Sequence, residues 1–247
     1  MINLKSAELI VSLITFLLSY LFATTIAGAF RAWVADKMGD STAQDCGFLT
    51  LNPLVHMDPI GMMFVCLFSF GWSKFIPINP QNIDGSIRFL GIKSGWRLPK
   101  LLCAYLSDSF VYFSIAFICL VTIILIFGPM ILYIAPSMLL QSSCMSHLFL
   151  AHAFPGYSSF TIVIGFILIV ATYLSIVIGV LDGTINCCHL ALALYAERSP
   201  DQILQYGYLI VLIPSIIIIL FAGHLRILIT SCIIYFGWLV THLLGLF

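Results

Sequence analysis

Gly47-Phe48-Leu49-Thr50-Leu51-Asn52-Pro53-Leu54-Val55-His56-Met57-Asp58-Pro59-Ile60-Gly61 is the stretch on which the fold turns. It mixes strand-forming residues, two X-Pro steps, a histidine and an aspartate inside an otherwise strongly apolar chain. Asn52-Pro53 and Asp58-Pro59 push the residues before each proline away from helix, and Phe48 to Leu51 reads as a short extended segment. Irregular backbone at membrane depth is tolerated only where protein or a water-filled cavity satisfies its polar groups. The stretch is therefore expected to be cradled by helices rather than exposed to lipid.

Those helices follow from composition. Of the 247 residues, 62% are hydrophobic and 8% charged, and mean hydropathy is +1.13. These values lie far from soluble domains. The chain reads as an all-α polytopic membrane protein, a single domain over residues 1–247. At ~20 residues per span it holds about six transmembrane segments, with short membrane-embedded extended strands and loops between them. Formal net charge is zero, so nothing electrostatic points to nucleic acid. The expected partner is the lipid bilayer. The eight cysteines include no C-x-x-C and mostly sit in apolar runs, where a thiol acts as a small hydrophobe.

Ala7 to Met38 reads as the first helix. Ala27-Gly28-Ala29 looks like a signal-peptide cleavage site, but Lys5 is offset by Glu8, which leaves a weak charged n-region. Met62 to Phe70 is too short to span alone. Gly71-Trp72-Ser73-Lys74-Phe75-Ile76-Pro77-Ile78-Asn79-Pro80 is again extended. Gly71 to Lys100 carries Lys74, Arg88, Lys93, Arg97 and Lys100 against Asp84, which makes it the cytoplasmic loop. Further spans are expected over Leu101 to Tyr133, Phe160 to Leu181, Gly207 to Phe221 and Ile227 to Leu246. Ala135 to Tyr157 and Thr184 to Tyr206 would be loops.

Asp40-Ser41-Thr42-Ala43, Leu49-Thr50-Leu51-Asn52-Pro53-Leu54, His56 and Asp58-Pro59-Ile60-Gly61 together resemble the site-2 protease family of intramembrane zinc metalloproteases. Gly71-Trp72-Ser73-Lys74 with Pro77-Ile78-Asn79-Pro80 matches that family's next motif. Leu181-Asp182-Gly183 resembles its late Leu-Asp-Gly motif, with Tyr206-Gly207 following. The matched motif positions Asn52, Pro53, His56, Asp58, Pro59, Gly61, Asn79 and Pro80 are structural by this resemblance. A bacterial cell membrane is the location it implies.

The resemblance also shows what is missing. The family's H-E-x-x-H precedes an Ala-Trp-Val-Ala-like run, here Ala32-Trp33-Val34-Ala35, and a Gly-Asp turn, here Gly39-Asp40. Counting back, the two histidine positions hold Ala27 and Arg31, and the glutamate position holds Gly28. Two histidines at i and i+4 would supply two zinc ligands from one helix face. The glutamate would act as general base on the zinc-bound water. Only Asp182, at the third ligand position, survives. One carboxylate cannot hold catalytic zinc, so no catalytic residue and no cofactor are expected. The Ala-Gly-Pro-x-x-Asn run is also absent, its place falling near Ala104-Tyr105-Leu106-Ser107-Asp108-Ser109.

A charge at membrane depth costs a few kcal/mol or more unless paired. Arg31 stands at a metal-facing position and so does Asp182, so a buried Arg31–Asp182 ion pair in place of the metal is the expected arrangement. In the rival arrangement Arg31 snorkels toward Asp36 and Asp182 pairs elsewhere. Asp108 is a second intramembrane acid whose partner the sequence does not name. Two other groupings carry metal-binding residue types without a zinc spacing: Asp182, Asn186 and His189 with Cys187 and Cys188, and Cys144 with His147 and His152. The leading expectation is a catalytically inactive, protease-like membrane protein that binds transmembrane segments of other proteins. The alternatives are an active zinc endopeptidase with rearranged ligands and a transporter-like protein on the same scaffold.

Overall fold

In a computed structural model of the chain, residues 4–83, 97–140, 147–196, 222–243 and 245 are described. The helices are α1 (Leu4–Met38), α2 (Thr42–Asp45), α3 (Pro53–His56), α4 (Pro59–Phe68), α5 (Arg97–Phe127), α6 (Ile131–Leu140), α7 (His147–Ala153), α8 (Ser159–Ala196) and α9 (Ala222–Leu243). Three stretches within them are long and apolar enough to cross a membrane: Leu9–Met38, Arg97–Phe127 and Ser159–Tyr195. Pro59–Phe68 and Ile227–Leu243 are shorter apolar helices.

α8 is the central helix. Its apolar window is 72% buried, against 39% for α1 and 44% for α5. α5 packs along α8, and α1 lies against both. Small residues bring α5 and α8 together, as expected where lipid supplies no hydrophobic drive between helices. Gly179 leaves Tyr112 room to approach, and Gly183 faces Ser109. Tyr20, Tyr112, Phe166, Leu174 and Ile178 are fully buried at the centre of this packing.

The outward faces carry Phe110, Ile118, Leu125, Leu228 and Tyr235, all well exposed. Exposed hydroxyls on these faces turn back onto their own helix. Ser114 donates to the Phe110 carbonyl at 2.8 Å, Thr122 to that of Ile118 at 2.8 Å and Ser231 to that of Ile227 at 3.0 Å. Such back-bonding satisfies these three hydroxyls without water. The surface is that of a helical membrane protein.

α1 ends in a left-handed cap. Gly39 takes φ +110°, and the Asp40 N–H returns to the Ala35 carbonyl at 3.0 Å. The chain then runs through α2, α3 and α4, each proline standing at a first helical position where its missing N–H costs nothing.

Several expectations are corrected. Among the described residues there is no β-strand: Phe48 to Leu51 is bent, the Thr50 N–H reaching the Phe48 carbonyl at 2.9 Å, and residues 71–79 run without a ladder. The prolines remove donors, and one backbone bond, Lys74 N–H to the His56 carbonyl at 3.1 Å, joins the second stretch to the first region. The long span ends at Phe127, because Gly128 takes φ +72° ahead of Pro129. The expected loop 135–157 contains the end of α6 and all of α7. The expected loop after Thr184 is helical through Ala196, because the apolar run in α8 continues past Asp182. Asp84, Arg88, Lys93, Cys144, Tyr206 and the expected span Gly207 to Phe221 lie outside the described residues.

Candidate functional site

Three helices meet at one buried polar cluster. Arg31 on α1 donates from Nη1 to Asp108 Oδ2 on α5 at 2.8 Å and to Asn186 Oδ1 on α8 at 2.7 Å. Asn186 Nδ2 closes the triangle onto Asp108 Oδ2 at 2.9 Å. Asp108 Oδ1 also accepts from the Ser109 N–H at 2.7 Å. All three side chains are buried, and the Tyr105 ring lies 5.8 Å from the guanidinium carbon.

The guanidinium's partner is thus Asp108, and the expected Arg31–Asp182 pair is not formed. The reason is geometric. α5 carries Asp108 to the level of Arg31, whereas Asp182, one turn before Asn186 on α8, takes the Ser73 hydroxyl from the extended stretch. Both intramembrane acids are therefore satisfied, one by a charge and one by a hydroxyl.

The organising stretch is tied to this bundle by side chains. Asn52 caps α3, its Oδ1 accepting from the Leu54 N–H at 3.1 Å. Asp58 caps α4, its Oδ1 accepting from the N–H groups of Ile60 and Gly61, each at 2.8 Å. Tyr20 on α1 donates to the Trp72 carbonyl at 2.9 Å and accepts from the Asp58 N–H at 3.2 Å, so one hydroxyl joins both stretches.

Asp40 is fully buried and does the same work at the other end. Its Oδ2 accepts from the Asn79 N–H at 2.7 Å and its Oδ1 from Asn82 Nδ2 at 2.8 Å. In the sequence Asp40 reads as part of a turn, and nothing there assigns a role to Tyr20, Ser73 or Asn82. A tyrosine inside an apolar span is the signal that could have flagged Tyr20, and an aspartate just after a helix-ending glycine the one for the anchoring role of Asp40.

His56 decides what position 28 can be. Its Nε2–H donates to the Thr50 carbonyl at 2.8 Å. Its Nδ1 is buried without a partner among the described residues. A Cβ on Gly28 would stand 2.3 Å from that Nδ1. The imidazole thus fills the space in which a side chain at 28 would start.

Burial holds this imidazole below its ordinary value of 6.5; the Thr50 carbonyl opposes the shift and Lys74 adds to it. Below about pH 6.5 the unfolded chain then binds more protons than the folded one. This contribution to stability is complete above 6.5 and is lost as pH falls from there toward the folded value. The melting temperature is expected to drop as pH falls below about 6.5, and less so in His56→Gln. Equal slopes in both proteins would show that His56 is not the group responsible.

A stretch of 49 residues is 49% identical to "Putative zinc metalloprotease YwhC" of Bacillus subtilis (strain 168). It covers 20% of this chain and 22% of that relative, so the chain matches about a fifth of the relative's length. No protein-family profile and no solved structure matches the chain. Part of this membrane chain is therefore similar to a protein named as a zinc metalloprotease.

The residues present do not fit a zinc ion at the positions the resemblance points to. Ala27 offers no donor atom, and Gly28 is closed by His56. Arg31 brings a fixed positive charge, held by Asp108 at 2.8 Å, which would repel a cation. Asp182 is engaged by Ser73. Among the described residues no three His, Cys, Asp or Glu side chains converge on a common point.

Proposed function

We propose that this chain is a multi-pass, site-2-protease-like protein of a bacterial cell membrane. In this reading it has lost proteolysis and keeps the capacity to bind transmembrane segments of membrane-protein partners. The observation that carries the reading is the Arg31–Asp108–Asn186 cluster, a buried cation seated where the resemblance puts a metal ligand. A guanidinium can order three helices electrostatically, but it cannot lower the pKa of a water as a divalent ion does.

The extended stretch supports the binding half. Among the described residues the N–H groups of Phe75, Ile76 and Ile78 have no backbone partner. An unwound segment laid alongside could pair with them as an added strand.

Metal analysis of detergent-purified protein, together with a cleavage assay in proteoliposomes, tests the reading. The expected result is far less than one zinc per chain and no cleaved transmembrane peptide. Near-stoichiometric zinc that is lost in Asp182→Ala would overturn it, as would a cut peptide bond.

A further inference from the structure

Arg31 makes both of its hydrogen bonds through one atom, Nη1. Its other edge, formed by Nε and Nη2, is buried and has no acceptor among the described residues. Those two N–H groups point the same way, and such a fork grips oxygen acceptors well.

A second orphan belongs to the same region. His189 follows Asn186 by three residues on α8 and so shares its face, one turn further along. Its Nδ1 is likewise buried without a partner. Phe75 lies on the His189 ring with centroids 4.9 Å apart, and Phe75 is 53% exposed. The ring packed on His189 is therefore itself at the surface, on the extended stretch.

Charge decides which acceptor suits the fork. Asp108 already balances Arg31, and Asp182 stands one helical turn from Asn186. An anion entering here would face two carboxyl groups in a low-dielectric interior. A neutral carbonyl meets no such opposition and still satisfies both N–H groups. Among partner segments, the mid-helix carbonyls of an intact transmembrane helix are already bonded within the helix, whereas an unwound peptide has free ones to offer.

Resting on the binding reading above, the geometry points to a site for one backbone peptide group of an unwound partner segment. Its carbonyl accepts from Arg31 Nε–H and Nη2–H, and His189 Nδ1 meets the adjoining backbone.

The test uses the full chain in nanodiscs and two fluorescent synthetic transmembrane peptides. One is an uninterrupted Leu/Ala helix, and the other carries a central Asn-Pro-Gly break. The wild type is expected to bind the broken peptide about tenfold more tightly than the intact one, the worth of one charge-assisted bond. Arg31→Lys keeps the charge opposite Asp108 but has no fork, so it should lose most of that preference. The ¹⁵N resonance of Arg31 Nε–H should move when the broken peptide saturates the wild type.

Arg31→Lys binding both peptides as the wild type does would overturn the site and leave the binding reading standing. Wild type that binds neither peptide would overturn both. Where Arg31→Lys does not fold, the Nε–H resonance decides, and a signal unmoved at saturation overturns the site.

Discussion

Asp108→Ala is expected to cost about 3–5 kcal/mol of stability, because it strands a buried guanidinium. Arg31 and Asp108 are 3% and 4% exposed at their side chains, so water cannot replace the lost carboxylate without opening the bundle. Asn186 Oδ1 would remain as an acceptor for Nη1, but an amide carries no compensating charge. Removing Arg31 alone is expected to be comparably damaging, since Asp108 then keeps only neutral donors, Asn186 and the N–H and hydroxyl of Ser109.

Replacing both members should behave differently. The double change Arg31→Met with Asp108→Leu removes the charge and its desolvation together, and is expected to recover most of the loss. The measurement is a double-mutant cycle on unfolding in mixed detergent micelles. Asp182→Asn is the informative contrast: an amide oxygen can still accept from Ser73, so the loss should stay near 1 kcal/mol. An Asp108→Ala protein within about 1 kcal/mol of wild type would show that Arg31 finds another counter-charge.

The pair also shows how far the sequence could be read. Hydropathy alone places Arg31, Asp108 and Asp182 in apolar helices, and membrane energetics alone demands that the arginine be paired. Which acid pairs with it depends on how deep α5 and α8 sit relative to α1, and nothing in a one-dimensional pattern reports relative depth. The resemblance supplied Asp182 because its metal ligands converge, and Ala27 and Arg31 bring no ligand to such a convergence. Asn186 is legible as one turn after Asp182 on the same face, but its role as bridge depends on how α1, α5 and α8 meet in three dimensions.

The strand expectation failed for a related reason. Residues such as Phe48-Leu49-Thr50-Leu51 and Phe75-Ile76 favour extended backbone, but a ladder needs a partner with free donors. The polar backbone here went instead to Tyr20, Asp40 and Asp58. Loop boundaries failed where apolar helices run on past a charge or a glycine, as α8 does beyond Asp182-Gly183.

Gly61→Ala and Gly71→Ala are expected to loosen this corner more than any other glycine change among the described residues. A Cβ at Gly61 would lie 2.3 Å from the Trp72 carbonyl oxygen, and one at Gly71 would lie 2.3 Å from the Gly61 carbonyl oxygen. Both obstacles are backbone, so no rotamer change relieves them. The first turn of α4 and the extended stretch must separate, although Tyr20 holds Trp72 and Asp58 with a single hydroxyl. Overpacking of this kind costs about 1–3 kcal/mol, and the parted backbone also draws Ser73 away from Asp182.

Gly183→Ala is the control. Its Cβ would meet Ser109 Oγ at 3.0 Å, a hydroxyl that can rotate aside, so the effect should stay below about 1 kcal/mol. Two readouts separate local from global loosening: the melting temperature in detergent and the rate of tryptic cleavage after Lys74, an exposed site on the extended stretch. Faster cleavage with a lowered melting temperature is expected for Gly61→Ala and Gly71→Ala, and neither change for Gly183→Ala. Wild-type cleavage in Gly61→Ala would mean that the stretch is held by its side-chain bonds rather than by backbone contact with α4. That outcome would move the source of its rigidity to Tyr20 and Asp40.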